Sequence, residues 1–419
     1  MSRYLRAATG VLVSALALAG IVIAAPTDAS AEVVFSELSG EFGVEGRWFP
    51  RSPLHDGQTP NGASFFVEPE LYVENENGYG LTLTPFFRYD SADPNRTHAD
   101  LREAYALLFG EAGDGEWELR LGFDKVFWGV AESHHLIDII NQTDVIEDPD
   151  QEEKLGQPMA HATWLADFGV LEAFVMPYFR ERTFQARSGR LRNTLVVDTD
   201  QTAYESAAGQ QHVDWAARYS HTVDIFDFGL SIFDGTNRAP TLTLGLDRGG
   251  SLVLVPTYDQ VRQYSLDMQA TTGSWLLKLE AAWRDGEKDR ALIEDDYGAL
   301  VAGVEYSFYG VFDSDADLGL IGELLFDDRD DRATNPFEND IFGAVRLALN
   351  DVESTELLAG VIRDLNQSTS TAFVEANRRI DDNWSVGLEG TAFLNVDDAD
   401  VQFPLRRDNV LELTATYNF

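Results

Sequence analysis

Apolar and polar residues alternate along most of this chain, in stretches of roughly ten residues. The stretch 409–419 shows the pattern most clearly, because every second side chain is apolar: Leu411, Leu413, Ala415, Tyr417 and Phe419. The residues between them are mostly polar. Successive side chains of a β-strand point to opposite faces, so this period of two predicts a strand with one apolar face and one wet face.

About eighteen such stretches (16–18) follow one another, and the polar connections between them alternate in length. The short connections are 75–79, 110–116, 166–168, 221–226, 272–274, 350–354 and 381–383. The long ones are 50–64, 128–158, 181–211, 235–259, 285–298, 327–339 and 394–408. Sorting by length is typical of outer-membrane barrels. The pattern therefore predicts an all-β fold, a transmembrane antiparallel β-barrel with short periplasmic turns and long extracellular loops.

Aromatic residues concentrate at the strand ends next to the short turns. Tryptophans open three strands after a short turn: Trp117, Trp275 and Trp384. Other aromatic residues close strands before one: Phe109, Tyr219, Phe308 and Phe419. Aromatic residues at one height are expected to form an interfacial girdle of a membrane barrel.

Three prolines fall inside predicted strands, at Pro69, Pro85 and Pro177. Proline lacks the N–H group that a sheet ladder needs, and a closed barrel has no free edge to accommodate it. We therefore expect bulges or local gaps in the ladder at these positions.

The composition excludes several classes of protein. The 419 residues are 44% hydrophobic, and the mean hydropathy of -0.20 excludes a helical membrane protein. A barrel remains possible because only alternate residues face lipid. The net charge of -40 argues against nucleic-acid binding, which needs a basic surface. The absence of cysteine means that no disulfide stabilises the exported chain.

The N-terminus has the features of a targeting segment. Arg3 and Arg6 precede an apolar run at 11–25, and Ala29-Ser30-Ala31 is a small-x-small cleavage site. These features predict a signal peptide at 1–31 that is cleaved after export through the Sec pathway. The run is short and is followed by Pro26, which disfavours an uncleaved anchor. Residues 32–419 would then form a single outer-membrane barrel domain.

If the apolar residues of each strand face lipid, the residues that alternate with them line the interior of the barrel. The residues predicted to line a pore are Arg88, Arg102, Arg120, Asp124, Glu172, Arg180, Arg218, Lys278, Glu280, Glu323, Arg346, Glu375 and Arg379. A charge that faces lipid costs a few kcal/mol, so these residues require a wet lumen or mutual pairing. About eighteen strands enclose more space than side chains fill, which predicts an aqueous channel. The alternative is that the charges pair off and plug the interior.

The long connection 128–158 is partly apolar. Leu136, Ile139 and Ile140 recur at helical spacing, so a short helix is plausible there. We expect the connection to fold into the barrel and narrow it, as the third outer loop of the chain. The predicted constriction residues are Glu132, His134, His135, Asp138 and Asp144.

The same connection contains the residue types of a hydrolase, namely Ser133 with histidines and aspartates. Neighbours in sequence rarely converge as nucleophile and base, and no nucleophile-elbow pattern surrounds Ser133. We therefore predict no catalytic residue and no enzymatic activity. The i, i+4 pair of His134 and Asp138 is too few ligands for a metal site, so no metal and no cofactor are predicted.

Acidic runs at 147–153, 294–296 and 327–331 fall on the long connections. The favoured interpretation is a solvated, self-repelling outer surface. The alternative is that these runs bind divalent cations and tie the loops to lipopolysaccharide.

Several segments resemble a family of porin-like outer-membrane proteins of Gram-negative bacteria. They are Phe127-Trp-Gly-Val-Ala-Glu-Ser133, Pro177-Tyr-Phe-Arg-Glu-Arg-Thr-Phe184, Asp317-Leu-Gly-Leu320 with Asp327-Asp-Arg329, and Arg407-Asp408. The resemblance covers most of the chain after residue 31 and is looser towards the alginate-export and general porin groups. It implies an outer-membrane channel for hydrophilic solutes. Alginate exporters need a strongly basic tunnel, whereas this interior is mixed in charge.

The terminal strand with Phe419 resembles the closing strand that the barrel-assembly machinery recognises in such barrels. The other expected partners are outer-membrane lipid, lipopolysaccharide and small polar solutes, and the barrel is expected as a monomer or a homo-trimer. The acidic balance favours cations or neutral solutes over anions. The alternatives are a substrate-specific channel for an oligosaccharide or organic acid, or a structural barrel with a blocked lumen.

Overall fold

The computed structural model describes residues 32–148 and 150–419. The predicted signal peptide at 1–31 lies outside these residues. Within them, no helix is both long enough and apolar enough to cross a membrane.

Strands account for most of the described chain. In chain order they are β1 (Val33–Trp48), β2 (Gly62–Asn75), β3 (Gly80–Asp90), β4 (His98–Ala112), β5 (Gly115–Asp124), β6 (Gln157–Ala166), β7 (Gly169–Met176), β8 (Ala203–Tyr204), β9 (Asp214–Val223), β10 (Phe226–Thr236), β11 (Thr241–Leu246), β12 (Leu252–Tyr258), β13 (Gln260–Thr272), β14 (Trp275–Asp285), β15 (Tyr297–Phe308), β16 (Asp317–Asp327), β17 (Asn339–Ala348), β18 (Glu356–Asp364), β19 (Ser370–Arg379), β20 (Trp384–Leu394) and β21 (Val410–Asn418). Short 3-10 turns lie at Thr199–Gln201, Gly209–Gln211, Val311–Asp313, Asp330–Arg332 and Phe403–Leu405.

Eighteen of these strands form one closed antiparallel sheet. Each pairs with the strand before and after it around the wall, and β21 returns to pair with β1. The prediction of an all-β barrel of about eighteen strands is confirmed. The remaining strands, β8, β11 and β12, form a separate small sheet in the connections that follow β7 and β10.

The seam between β1 and β21 is closed at its end by two backbone hydrogen bonds. Gly40 N donates to Phe419 O over 3.1 Å, and Phe419 N donates to Gly40 O over 3.0 Å. Gly40 has a φ of +145°, and a Cβ there would lie 2.6 Å from the carbonyl oxygen of Glu68. Only glycine fits so close to the neighbouring backbone.

Connections of different length lie at opposite ends of the barrel. The turn end carries short turns such as 113–114, 167–168 and 273–274, and the loop end carries the long connections. Two outer connections, 91–97 and 365–369, are short, which the sorting of connections by length did not predict. At the turn end, the connection 309–316 follows Phe308, where the sequence predicted the end of a strand.

The outer face of the wall is apolar around the barrel. Exposed outward side chains include Leu230, Tyr264, Leu324 and Leu413 on four separate strands. At the turn end, Trp275 packs against Tyr306 with ring centroids 4.6 Å apart, and Trp384 packs against Tyr417 at 5.3 Å. Phe109, Phe308 and Phe419 are exposed at the same end. This arrangement matches the predicted aromatic girdle.

Two of the three prolines disturb the wall as expected. The β3–β4 register shifts between Thr84 and Pro85, and the β2–β3 ladder is interrupted between Val67 and Leu71, around Pro69. The placement of Pro177 inside a strand was wrong, because β7 ends at Met176. The chain leaves the wall there, so no ladder bond is lost.

Candidate functional site

The connection between β5 and β6, described at 125–148 and 150–156, lies inside the barrel and is called the inner loop below. Trp128, Ile137 and Ile140 are buried against side chains that point inward from the wall, among them Phe174 and Phe233. A second apolar cluster joins the other side of the loop to β15, β16 and β17. The inner loop is thus held between two parts of the wall by ordinary hydrophobic burial.

The predicted short helix is absent from the described residues of 128–158. Two carboxylates of the wall, Glu280 and Glu323, explain the absence of the helix. They accept hydrogen bonds from backbone N–H groups that would bond within a helix. Glu280 accepts hydrogen bonds from the N–H groups of Val130 (2.7 Å), Ala131 (2.8 Å) and Ile137 (3.3 Å). The apolar residues at helical spacing are instead buried in a segment without regular secondary structure.

The tip of the inner loop is fixed in the same way by Glu323 on β16. This carboxylate accepts from the N–H groups of Glu132 (2.8 Å) and Ser133 (2.9 Å) and from the Ser133 hydroxyl (2.5 Å). Glu280 and Glu323 therefore anchor the tip to the far wall.

Glu132 itself completes an ion-pair cluster at the tip. Its carboxylate lies 2.5 Å from Arg346 Nη2 and 3.4 Å from Lys278 Nζ. Both bases also approach Glu305 on β15. Burial favours protonation of Glu132, but Arg346 and Lys278 outweigh it and hold the pKa of this carboxyl below its usual value.

The second half of the inner loop is held by arginines of the opposite wall. Arg102 Nη1 lies 2.9 Å from the Asp144 carboxylate, and Arg88 Nε lies 2.7 Å from that of Glu147. Arg96 pairs with Glu45 on β1 at 2.5 Å. Arg88, Arg96 and Arg102 are 6%, 3% and 1% exposed. These arginines form ion pairs inside the protein, so their side chains are not accessible to a solute.

The histidines and Ser133 are not arranged as a nucleophile and its base. The Ser133 hydroxyl donates to Glu323, whereas His134 packs on the Phe337 ring at 4.6 Å and His135 on Phe127 at 4.7 Å. Burial lowers the pKa of His134 to about 3, so this imidazole is neutral. The inner loop uses these residues for packing.

The other predicted pore-lining residues occupy inward positions on strands, except Arg180, which lies beyond the end of β7. Arg180 still reaches the interior, because its Nη2 lies 2.6 Å from the Asp100 carboxylate. Asp124 and Glu172 lie on either side of His161, at 3.4 and 3.2 Å. The neighbours of these acids are Arg120 at 3.6 Å from Asp124 and Arg218 at 3.8 Å from Glu172. Arg379 lies apart, at the turn end, where it donates to the Val352 carbonyl.

Three carboxylates lie side by side on β19, β20 and β21, across the lumen from the inner loop. Glu375 on β19 pairs in register with Glu389 on β20, and Glu389 pairs with Glu412 on β21. Arg47 on β1 follows Glu412 in the same register and forms an ion pair with it. Adjacent strands lie about 4.8 Å apart, so these acids form a continuous acidic row.

The inner loop turns its own carboxylates towards this row. Oxygens of Asp148, Asp150 and Glu152 lie within 4.8 Å of one another, and Asp150 and Glu152 are exposed to the lumen. Burial within the barrel and repulsion from neighbouring carboxylates raise the pKa of Asp150 to about 6 and that of Glu152 to about 7, with Glu375 among those neighbours. Loop acids and acidic row thus face one space, called the acidic gap.

The position of one acidic run differs from the position that the sequence predicted. The described residues of the acidic run 147–153 lie inside the barrel rather than on its outer surface, because Glu147 forms an ion pair with Arg88. Glu45, Arg47 and Glu412 were also overlooked as interior residues, although the alternation in β1 and β21 places them on the polar face. Alternation could not assign Arg96 to the interior, because Arg96 lies in the connection 91–97 and not on a strand.

A closed wall with an apolar outer face, an aromatic girdle and a charged interior defines a transmembrane β-barrel of the outer-membrane, porin-like class. No family model and no curated protein matches the chain. Among solved structures, a triple mutant of the Rhodopseudomonas blastica porin is 12% identical over 92% of this chain and 100% of that chain, with a TM-score of 0.44. A loop-deletion mutant of OmpT, an outer membrane protein of Vibrio cholerae, is 10% identical over 92% of this chain and 99% of that one, with a TM-score of 0.45.

Proposed function

We propose that this protein is a passive outer-membrane channel of a Gram-negative cell, rather than an enzyme, and that it admits small hydrophilic solutes and ions without selecting anions. The acidic gap carries this proposal, since the inner loop narrows the lumen and both sides of the remaining space carry carboxylates. A low-dielectric wall strengthens the field of such charges and raises the local concentration of cations.

The location of the paired and unpaired charges supports the cation preference. The arginines that hold the second half of the inner loop are buried in ion pairs, whereas Glu389, Asp150 and Glu152 are exposed to the lumen. A solute that enters the gap therefore meets accessible carboxylates and few accessible bases. Exposure of these acids also argues against a lumen that is blocked at this level.

The main alternative is a substrate-specific channel for an organic acid or an oligosaccharide. An organic acid needs accessible arginines, and those of the interior wall nearest the loop are neutralised by Glu45, Asp144 and Glu147. An oligosaccharide channel needs a file of exposed aromatic rings, whereas the inward rings Phe174, Phe233 and Phe342 are buried in packing. Passive diffusion of small solutes is favoured on both counts.

The route to the membrane belongs to the same proposal. We expect export through the Sec pathway, insertion by the barrel-assembly machinery through the strand that ends at Phe419, and contact of the outer loops with lipopolysaccharide. The assembly is expected to be a monomer or a homo-trimer.

The decisive measurement is the reversal potential of the purified protein in a planar bilayer under a salt gradient. The proposal predicts cation selectivity, and removal of the two carboxyl groups in E375Q/E389Q should lower it. The matched control D295N/D296N removes two exposed charges from the connection 286–296, far from the gap in sequence and outside the wall, and should leave the potential close to that of the parent. Anion selectivity of the parent protein would contradict the proposal.

A further inference from the structure

His98 is the first residue of β4 and lies beside the second half of the inner loop. It is the antiparallel partner of Arg88 on β3, and its ring packs on that of Phe86 with centroids 5.6 Å apart. The side chain is 8% exposed, and Nε2 lies 3.5 Å from an Asp144 oxygen and 3.6 Å from a Glu147 oxygen. One buried imidazole thus faces two carboxylates of the loop, in an arrangement called the His98 contact below.

The other ring nitrogen decides which protonation state suits the His98 contact. Nδ1 lies 3.0 Å from the carbonyl oxygen of Arg96. A carbonyl oxygen only accepts hydrogen bonds, so Nδ1 carries a proton. A neutral imidazole has a single N–H group, and its Nε2 would then present a lone pair to the two carboxylates. The protonated ring presents an N–H group to them instead.

Two atoms of the His98 contact are buried and have no hydrogen-bond partner in 32–148 and 150–419, namely His98 Nε2 and Glu147 Oε1. The third partner, Asp144, is ionised. Burial favours protonation of Asp144, but the positive charge of Arg102 outweighs it and holds the pKa of this carboxyl well below its usual value. An imidazolium places a donor between the two carboxylates, whereas a neutral ring leaves acceptors facing one another.

The other charges around His98 do not change near neutral pH. Arginine keeps its proton, and a carboxylate paired with arginine stays ionised. These groups are Arg88, paired with Glu147, Arg102, paired with Asp144, and Arg96, paired with Glu45. Among the groups of this cluster, only the imidazole has an ordinary pKa, about 6.5, between pH values of about 5 and 9.

The His98 contact bears on the acidic gap through the backbone of the loop. The N–H groups of Glu147 and Asp148 both donate to the Asp144 carbonyl, over 3.0 and 3.2 Å. The turn that carries the gap acids Asp148 and Asp150 therefore begins at a residue that His98 faces. A change in the His98 contact is passed to the acids that border the lumen.

We propose that His98 is a pH-sensitive contact that fixes the second half of the inner loop when its ring is protonated and loosens it when the ring is neutral. An imidazolium between carboxylates stabilises the fixed loop at low pH, and this contribution is lost as the pH rises through the titration of the ring. The effect on ion flow rests on the channel function proposed above. The effect on the loop itself does not.

The test is hydrogen exchange of the intact barrel at pH values of about 5 and 9, measured by mass spectrometry on the peptide that contains residues 144–148. H98K keeps a positive charge at both pH values and shares the loop acids and the intrinsic exchange rates of the parent, so it is the reference. The parent should match H98K at the lower pH and exchange at least about threefold faster at the higher pH, because the loop opens locally more often. H98Q, which is neutral throughout, should exchange faster than the parent at the lower pH.

A control and a second measurement separate the His98 contact from general effects of pH. H221Q removes an imidazole near the turn end of β9 and should behave as the parent does. In single-channel recordings, brief interruptions of the current should become at least about threefold more frequent at the higher pH in the parent but not in H98K, because a loosened loop crosses the lumen. The proposal is overturned if the parent and H98K exchange alike at the higher pH, or if H98Q is as protected as the parent at the lower pH. A parent that forms no channel would contradict the proposed function, and the exchange comparison would still decide the role of His98.

Discussion

Arg346 on β17 holds Glu132 at the tip of the inner loop, with Nη2 of the arginine 2.5 Å from Oε1 of the glutamate. The contact joins residues 214 positions apart in the chain. It also places a base at one margin of the acidic gap, where it partly offsets the carboxylates.

Removal of that base should therefore increase cation selectivity. We expect R346Q to raise the cation-to-anion permeability ratio by about twofold to fivefold, since a unit charge a few ångströms from an ion in water is worth about 1 kcal/mol or less. Reversal potentials of parent and variant measure the change. The conservative R346K should stay near the parent, and a shift of R346Q towards anions would refute the assignment of this arginine to the gap.

The anchoring of the loop tip by Glu280 predicts a loss of stability. In E280A, the buried N–H groups of Val130 and Ala131 lose their acceptor, at a cost of about 1–3 kcal/mol for each group left unsatisfied. Denaturant unfolding of the refolded barrel measures this. E118A is the matched control, because Glu118 forms a half-exposed pair with Arg120 and such pairs contribute about 1 kcal/mol or less. Equal losses in the two variants would show that Glu280 is not an anchor.

The loop acids predict a pH-dependent conductance. Burial raises the pKa of Asp148 to about 9, with the Asp150 carboxylate as its next cause, and the pKa values of Asp150 and Glu152 are about 6 and about 7. These groups gain charge as the pH rises from about 5 to 9, so cation selectivity should increase over that window. Glu375, Glu389, Glu412 and Arg47 face the same space.

The sign of the accompanying stability change follows from the same shifts. A carboxyl whose pKa is raised in the folded protein favours the folded state below its ordinary pKa and loses that contribution as the pH rises through the raised value. D148N/D150N/E152Q should flatten both the selectivity profile and the stability profile between pH 5 and 9. A profile that keeps its slope in this variant would assign the titration to the wall instead.

The buried arginine of β4 predicts a further loss of stability. R102M leaves the buried Asp144 carboxylate without its arginine counter-charge, and breaking a buried ion pair from one side costs about 3–5 kcal/mol. R262M is the control, because Arg262 and its partner Asp234 are on the exposed outer side of the rim. Unfolding free energies that fall by similar amounts in R102M and R262M would contradict the view that Arg102 is a structural residue.

The wall of this barrel could be predicted from the sequence because lipid imposes a strict rule on it. Each outward side chain must be apolar and each strand must pair on both sides, so alternation alone marks strands such as β14 and β21. Pro177 was misplaced because the apolar pattern of β7 continues past the point where the chain leaves the sheet.

The interior could not be predicted to the same depth, because its structure depends on contacts between distant parts of the chain. Glu280 and Glu323 decide the path of the inner loop, and nothing near the loop in sequence indicates that its N–H groups will be used there. The acidic row needs the register of three strands, which places Glu375, Glu389 and Glu412 side by side. Residue type and alternation give the face of each glutamate but not its neighbours.

The seam between β1 and β21 also dictates an order of assembly. The first strand finds its second partner only in the last one, so a chain that lacks β21 has two unsatisfied edges, on β1 and on β20. Such edges readily pair with foreign strands. The nascent polypeptide therefore has to be shielded until β21 is available to pair, and deletion of β21 (Val410–Asn418) is expected to yield an aggregation-prone species rather than a smaller barrel.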